Sequence, residues 1–368
     1  MVSFRTTQTS RLVSVIFACI LCVVCALALG ACSSGGGGSA SKTVQFTDSC
    51  GRTVEIPSNP QKVAPSGAMA QQVIMTFDPK VLCGLSGDLT ADEEKCFGIK
   101  SADYKVFGAL YGTKGSFNKE EVVAAGTELV IDIGEAKQGI VEDLDKLQES
   151  LGIPVIHIEA TIDTYDQVYT TLGKILGNEK RASELANYCK KAMSDSQAAM
   201  SKVPEDKRVS VAFLTDETHG LAQGSFHAAL IDMVAKNAIV ADNVAGSGFG
   251  NEISLEQLAV WNPDVLLIQS ADLYAKVADD PAWSSLSAVQ SGKYYLVPSI
   301  PYGWLNSPPS VNQVLGAQWL PHLLYPELVG ADAKDIVKNY FETMYGYKIS
   351  DAEYAEITKN CTPAQKAA

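Results

Sequence analysis

Two short alternating runs open the patterned part of the chain. Residues 44–47 and 53–57 alternate apolar and polar side chains on either side of Asp48-Ser49-Cys50-Gly51-Arg52, which predicts a β-hairpin with a Gly-containing turn. Beyond it, short apolar runs at 62–64, 129–133 and 154–158 alternate with helical stretches at 68–77, 119–125 and 140–151. Strands alternating with helices predict parallel sheet in a layered α/β unit. The pattern changes at 164, where about forty residues carry no strand period. Gly177-Asn178 interrupts that stretch, and Asn178 is placed to cap a helix over 179–203, about 37 Å long. A second α/β set follows, with strands at 209–214, 265–268 and 294–297 and a helix at 226–236. A last helix is predicted over 310–324, with Ser307 ahead of Pro308-Pro309 as its start signal and Pro321 in its last turn. The two sets share a unit. Glu120-Glu121-Val122-Val123-Ala124-Ala125-Gly126-Thr127-Glu128 before Leu129-Val130-Ile131 matches Glu256-Gln257-Leu258-Ala259-Val260-Trp261-Asn262-Pro263-Asp264 before Val265-Leu266-Leu267.

The 368 residues are 46% hydrophobic and 19% charged, enough apolar material for a folded core and against a disordered chain. Acids outnumber bases 42 to 29, for a net charge of −13, which argues against a nucleic-acid partner. Arg5 and Arg11 precede an uncharged apolar run from Leu12 to Gly30, the layout of a secretory signal over 1–31. Leu29-Gly30-Ala31-Cys32 resembles the bacterial lipobox, which makes Cys32 the expected lipid attachment site and 32–43, rich in Gly and Ser, a flexible tether. Removal of 1–31 leaves 27 bases against 42 acids, so the exported part is the acidic one, at −15. Cys19, Cys22 and Cys25 leave with the signal; Cys50, Cys83, Cys96, Cys189 and Cys361 remain. No C-x-x-C spacing survives for metal binding, and Cys83 and Cys96, flanking a Gly-rich loop, are the best candidate disulfide.

The hairpin Asp48-x-x-Gly51-Arg52-x-Val54, the strand Lys62-Val63-Ala64, the two acid-helix-strand units and Asp280-Pro281-Ala282-Trp283-x-x-Leu286-x-Ala288-Val289-x-x-Gly292-Lys293-Tyr294-Tyr295 carry a resemblance. They resemble, in this order, the substrate-binding lipoproteins of ABC importers for ferric siderophores, haem and cobalamin. That resemblance implies two α/β lobes, 44–160 and 206–350, joined by one long helix within 161–205, with the ligand in the cleft between them and 351–368 as a tail. It implies a monomeric receptor on the outer face of the cell membrane that hands a metal chelate to a permease and its ATPase. The chelate is cargo, so no cofactor and no catalysis are expected. In such proteins one exposed Glu on each lobe docks on permease arginines; the matching positions here are Glu120 and Glu256.

Ligands of layered α/β units meet the loops at the carboxyl ends of the strands. Those loops supply Ser66, Met69 and Tyr111 from the first lobe and His219, Ser225, His227, Tyr274, Tyr302 and Trp304 from the second, and aromatic walls suit a broad chelate. Arg52, Arg181 and Arg208 are the only arginines after the signal, and none falls in a predicted cleft loop. Polyanion recognition favours Arg forks, so a neutral, weakly charged or cationic chelate is expected, with Lys114 the base near Tyr111. A molybdate-type oxyanion is the alternative, since helix N-termini bind anions without Arg. His157 and His322 read as structural; His219 and His227 are placed to touch a chelated metal. An extracytoplasmic hydrolase is the rival from another class, but G-x-S-x-G, H-E-x-x-H and a Walker loop are missing, and Gly246-Ser247-Gly248-Phe249-Gly250 reads as a flexible turn.

Overall fold

The computed structural model describes residues 42–111 and 116–361. Cys32, the signal segment and Lys114 lie outside them. Strands β1 (Thr43–Thr47) and β2 (Thr53–Pro57) form the expected antiparallel hairpin. Its turn is closed by Asp48, whose Oδ1 accepts the backbone N–H groups of Cys50 and Arg52 at 3.0 and 2.9 Å. Arg52 then ties the hairpin down, donating to Asp48, to the Val155 carbonyl and to Asp145.

The first lobe is built on a parallel sheet in the order β3 (Val63–Pro65), β4 (Leu129–Gly134), β5 (Val155–Glu159). All six residues of β4 are buried, as a central parallel strand covered on both faces requires. Leu129, Ile131 and Ile133 pack with Val73 and Ile74 of the helix Ala68–Phe77, whereas Val130 packs with Leu144 and Leu147 of the helix Ile140–Leu151.

The second lobe carries β6 (Ser210–Leu214), β7 (His219–Gly220), β8 (Lys236–Asn237), β9 (Asn251–Glu252), β10 (Val265–Ile268) and β11 (Tyr294–Leu296), in the order β11-β10-β6-β7-β9 with β8 beside β6. β6, β10 and β11 are parallel; β7 and β9 run antiparallel at the edge. The two acid-helix-strand units become the helices Lys119–Ala124 and Leu255–Trp261, feeding β4 and β10, each flanked by a strand on both sides.

The lobes are joined by the helix Glu179–Met200, 22 residues and about 33 Å, capped by Asn178 as expected and ending one turn early. Its buried positions, Ala182, Leu185, Ala186, Cys189, Ala192, Met193, Ser196 and Met200, form one stripe. That stripe packs on the helix Tyr165–Leu176 of the first lobe and on Asn312–Leu324 of the second, where Ser196 Oγ donates to the Ala317 carbonyl at 2.6 Å. Gly173 makes the first contact possible: a Cβ there would stand 2.4 Å from that of Ala182. Arg181 ties both lobes, donating to the carbonyls of Thr76 and Thr343.

Two expectations are revised. Over its described part, 351–361, the tail is ordered: Ser350 and Glu353 form a capping box for the helix Asp351–Thr358. Glu353 pairs with Lys95 of the first lobe at 2.6 Å, while the Asn360 carbonyl and Cys361 Sγ bond to Leu296 of the edge strand β11. The segment therefore straps the lobes and covers a sheet edge. The second correction concerns Cys83 and Cys96, which are both free. Leu85 pairs with Val106, and the backbone N–H of Cys83 bonds to the Val63 carbonyl of β3. Cys83 bonds to Thr127 and Cys96 lies in the main core. Burial pushes the Cys96 and Cys361 thiols up to about 12. A thiol reagent at neutral pH is expected to spare Cys96, Cys189 and Cys361 in the native protein and to label all five after unfolding without reductant, read by peptide mass mapping. Two thiols still blocked after unfolding would restore a disulfide.

Candidate functional site

The carboxyl ends of the two parallel sheets face one cleft. Ser310 of the second lobe donates to the Met69 carbonyl of the first at 3.3 Å, and Glu135 and Lys137, after β4, act electrostatically on His227 across the gap. The floor on the first-lobe side is Met69 against Gly134, where a Cβ would lie 3.1 Å from the Met69 methyl and the backbone has φ +151°. The helix Ala68–Phe77 starts at Gly67 without a side-chain cap, so its first N–H groups are left for solvent or a ligand.

Tyr111 is half-buried with its hydroxyl enclosed and without a partner among the described residues. Its ring face carries Lys137 Nζ at 5.1 Å from the centroid, a cation–π contact. Burial, reinforced by the carboxylates of Asp132 and Asp143, raises its phenol well above the ordinary value. Ser66 is placed otherwise than expected. Its hydroxyl donates to Asp132, whose other oxygen holds His157 Nδ1 at 2.7 Å, and the buried Ser66 faces this network and not the cleft.

On the second lobe, His227 has the best-defined setting of the candidate residues. Asn306 is 2% exposed and spends both amide hydrogens, on the Gly248 carbonyl at 3.1 Å and on Gln269 Oε1 at 3.2 Å. Its oxygen is thereby fixed toward His227 Nδ1 at 3.1 Å, so Nδ1 carries the proton and Nε2 the lone pair. Burial holds the imidazole below its ordinary value of 6.5, against the opposing pull of Asn306 and Glu135. At neutral pH the ring is therefore neutral. His219, on β7 at the end of β6, holds its Nδ1 at 2.9 Å from Asp216.

Four expected contacts lie elsewhere. Ser225 Oγ accepts the Ala228 N–H at 3.0 Å as a turn cap and is 7% exposed. Tyr274 packs on Tyr294 at the start of β11, the opposite end of the sheet from the cleft. Tyr302 lies among Phe97 and Tyr345, with its hydroxyl 3.9 Å from Met75 Sδ, and Trp304 meets Trp319 edge-on with its indole N–H on the Ile300 carbonyl. Both rings belong to the core behind the cleft because helices from both lobes close over them. Conversely Lys137, Asn306 and Gln269 were not foreseen. The loop signals stopped short of them, and only tertiary contacts join Gln269 and Gly248 to Asn306.

The arginines stay out of the cleft, as expected. Arg52 serves the hairpin, Arg181 the back of the lobes, and Arg208 sits by Tyr325 ahead of β6. Glu120 and Glu256 each occupy the second position of a capped helix, exposed, one per lobe. A groove of about 350 Å³ lies along the bridging helix, lined by Ile162, Tyr165 and Met193; of the residues expected at the cleft it holds none. No helix among the described residues is long and apolar enough to cross a membrane.

Comparison with known proteins agrees with this architecture. The sequence profile of the family described as "Periplasmic binding protein" matches residues 79–301, more than half of the chain. The molybdate-binding protein MolA of Haemophilus influenzae is 22% identical over 273 residues, 66% of this chain and 75% of that protein. The Fe(3+)-citrate-binding protein YfmC of Bacillus subtilis is 27% identical over 221 residues, 58% of this chain and 65% of that protein. The structure of an ABC transporter solute binding protein from Sulfurospirillum deleyianum superposes with a TM-score of 0.78 at 25% identity, over 86% of this chain and 99% of that one.

Proposed function

The chain belongs to the periplasmic binding protein family, and from that premise we propose that it is the extracytoplasmic receptor of an ABC importer whose cargo is a metal chelate. The observation that carries the cargo class is His227. A neutral imidazole, held by Asn306 so that Nε2 offers a lone pair to the cleft, suits an open coordination position on a chelated metal. Lys137 and Glu135 on the opposite wall, with no arginine, suit a chelate of low net charge.

A second reading, a molybdate-type oxyanion, draws on the uncapped start of the helix Ala68–Phe77 and on the likeness to MolA. The lone pair of His227 weighs against it, because it would face the lone pairs of an oxyanion. In the preferred reading the protein binds and releases without altering its cargo, acts as a monomer, and is held at the membrane by lipid on Cys32. Glu120 and Glu256 meet the basic surface of the permease that the importer's ATPase drives.

The test is a panel of ferric siderophores, haem, cobalamin and molybdate, read by melting temperature and calorimetry. A chelate should raise the melting temperature, and His227→Ala should weaken its binding about ten- to hundredfold. Affinity should also fall as the pH drops through the depressed value of the imidazole, which lies below the ordinary one, as the ring between Glu135, Lys137 and Asn306 takes its proton and loses the lone pair. A chelate bound equally by wild type and His227→Ala would remove His227 from the site.

A further inference from the structure

Phe249 is 56% exposed, the one aromatic among the large apolar side chains left exposed in the described residues. Its backbone is nevertheless held on both sides by cleft residues. Its carbonyl accepts from Thr215 Oγ1 at 2.5 Å, just past the end of β6, and the Gly248 carbonyl accepts from Asn306. Gly250 N–H closes the turn on the Ser247 carbonyl at 3.0 Å.

Of the flanking glycines, Gly250 is required by space and Gly248 is tightly fitted. A Cβ at Gly248 would sit 3.2 Å from His227 Cε1, and one at Gly250, where φ is +85°, would sit 2.2 Å from the Gly220 carbonyl oxygen. The loop read from sequence as a flexible turn is therefore a pinned one, and its free element is a single phenyl ring. That ring stands 6.4 Å from His219, and the ring of Phe226 meets His227 edge-on at 5.8 Å. On the opposite lobe the Tyr111 ring carries Lys137, which acts electrostatically on His227, so aromatic rings stand on both lobes near this histidine.

We propose that the 247–250 loop is the second-lobe lip of the ligand cleft, and that Phe249 stacks on a conjugated part of the bound chelate and selects for such cargo. The inference rests on the chelate reading above. An exposed phenyl ring gives nothing to a bare oxyanion or an aliphatic shell, whereas it offers a planar π-system both area and a preferred offset geometry.

The test compares the full chain with Phe249→Ala and Phe249→Trp by calorimetry. The probes are haem, cobalamin and a ferric bis-catecholate as conjugated chelates, and an aliphatic ferric tris-hydroxamate. Wild type should bind at least one conjugated probe, Phe249→Ala should lose about tenfold for it with an unchanged melting temperature, and Phe249→Trp should retain affinity. Equal affinity of wild type and Phe249→Ala for a conjugated probe, or binding of the hydroxamate alone, overturns the inference and leaves the chelate reading standing. Failure of wild type to bind any of the four overturns the chelate reading itself.

Discussion

Reversing Glu120 and Glu256 together to lysine is expected to abolish uptake while leaving cargo affinity within about twofold, because like charges brought together at an interface cost several kcal/mol. The structure gives both acids the same local setting. Each is the second residue of a short helix, after an Asn118 or Ser254 cap, and each is exposed on its own lobe. The Glu256 backbone N–H and the Ser254 hydroxyl hold the Glu256 carboxyl below its usual range, so it is charged at any physiological pH. Neither lies among the groups around His227, so cargo binding has no reason to change. The checks are transport of labelled cargo in cells and calorimetry on the purified variant. Uptake that persists, or a loss of affinity in step with uptake, would remove the acids from the docking role.

Tyr302→Ala is expected to destabilise the protein by about 3–5 kcal/mol, the range for deleting a large buried aromatic side chain. Tyr302 is 8% exposed and sits where Phe97 and Met75 of the first lobe meet Tyr345, so its loss opens a cavity in the shared core behind the cleft. Tyr302→Phe keeps the ring and should cost no more than about 1–1.5 kcal/mol. Denaturant unfolding measures both, and cargo affinity below the transition should match wild type. A Tyr302→Ala protein of unchanged stability and reduced affinity would return this ring to the cleft wall.

The contrast between Tyr302 and His227 shows what the chain discloses locally. Strands β4, β5, β6 and β10 are legible because buried parallel strands read as mostly apolar runs, broken inside only by the paired Asp132 and His157, and the bridging helix because Asn178 caps it and its apolar positions fall in one stripe. A loop rich in aromatic residues between prolines is ambiguous, since whether Tyr302 and Trp304 line a cleft or fill a core depends on what closes over them. Phe97 and Tyr345, some 205 residues before and 43 after Tyr302, decide it. The order at 351–361 likewise depends on Lys95, and the tautomer of His227 on Asn306, Gln269 and Gly248. From the chain alone His227 reads only as a histidine in a cleft-facing loop, since its setting is made by residues distant in sequence, and the glycines around Phe249 read as a flexible turn although the loop is held by Thr215 and Asn306.

The central claim is that the cleft holds a metal chelate and presents His227 to it. Its most direct test is a calorimetric competition on the wild-type protein, titrating the chelates of the panel in the absence and presence of excess molybdate. The account predicts one-to-one binding of a chelate, undisturbed by molybdate and weakened in His227→Ala. Binding of molybdate with no response to any chelate would contradict it.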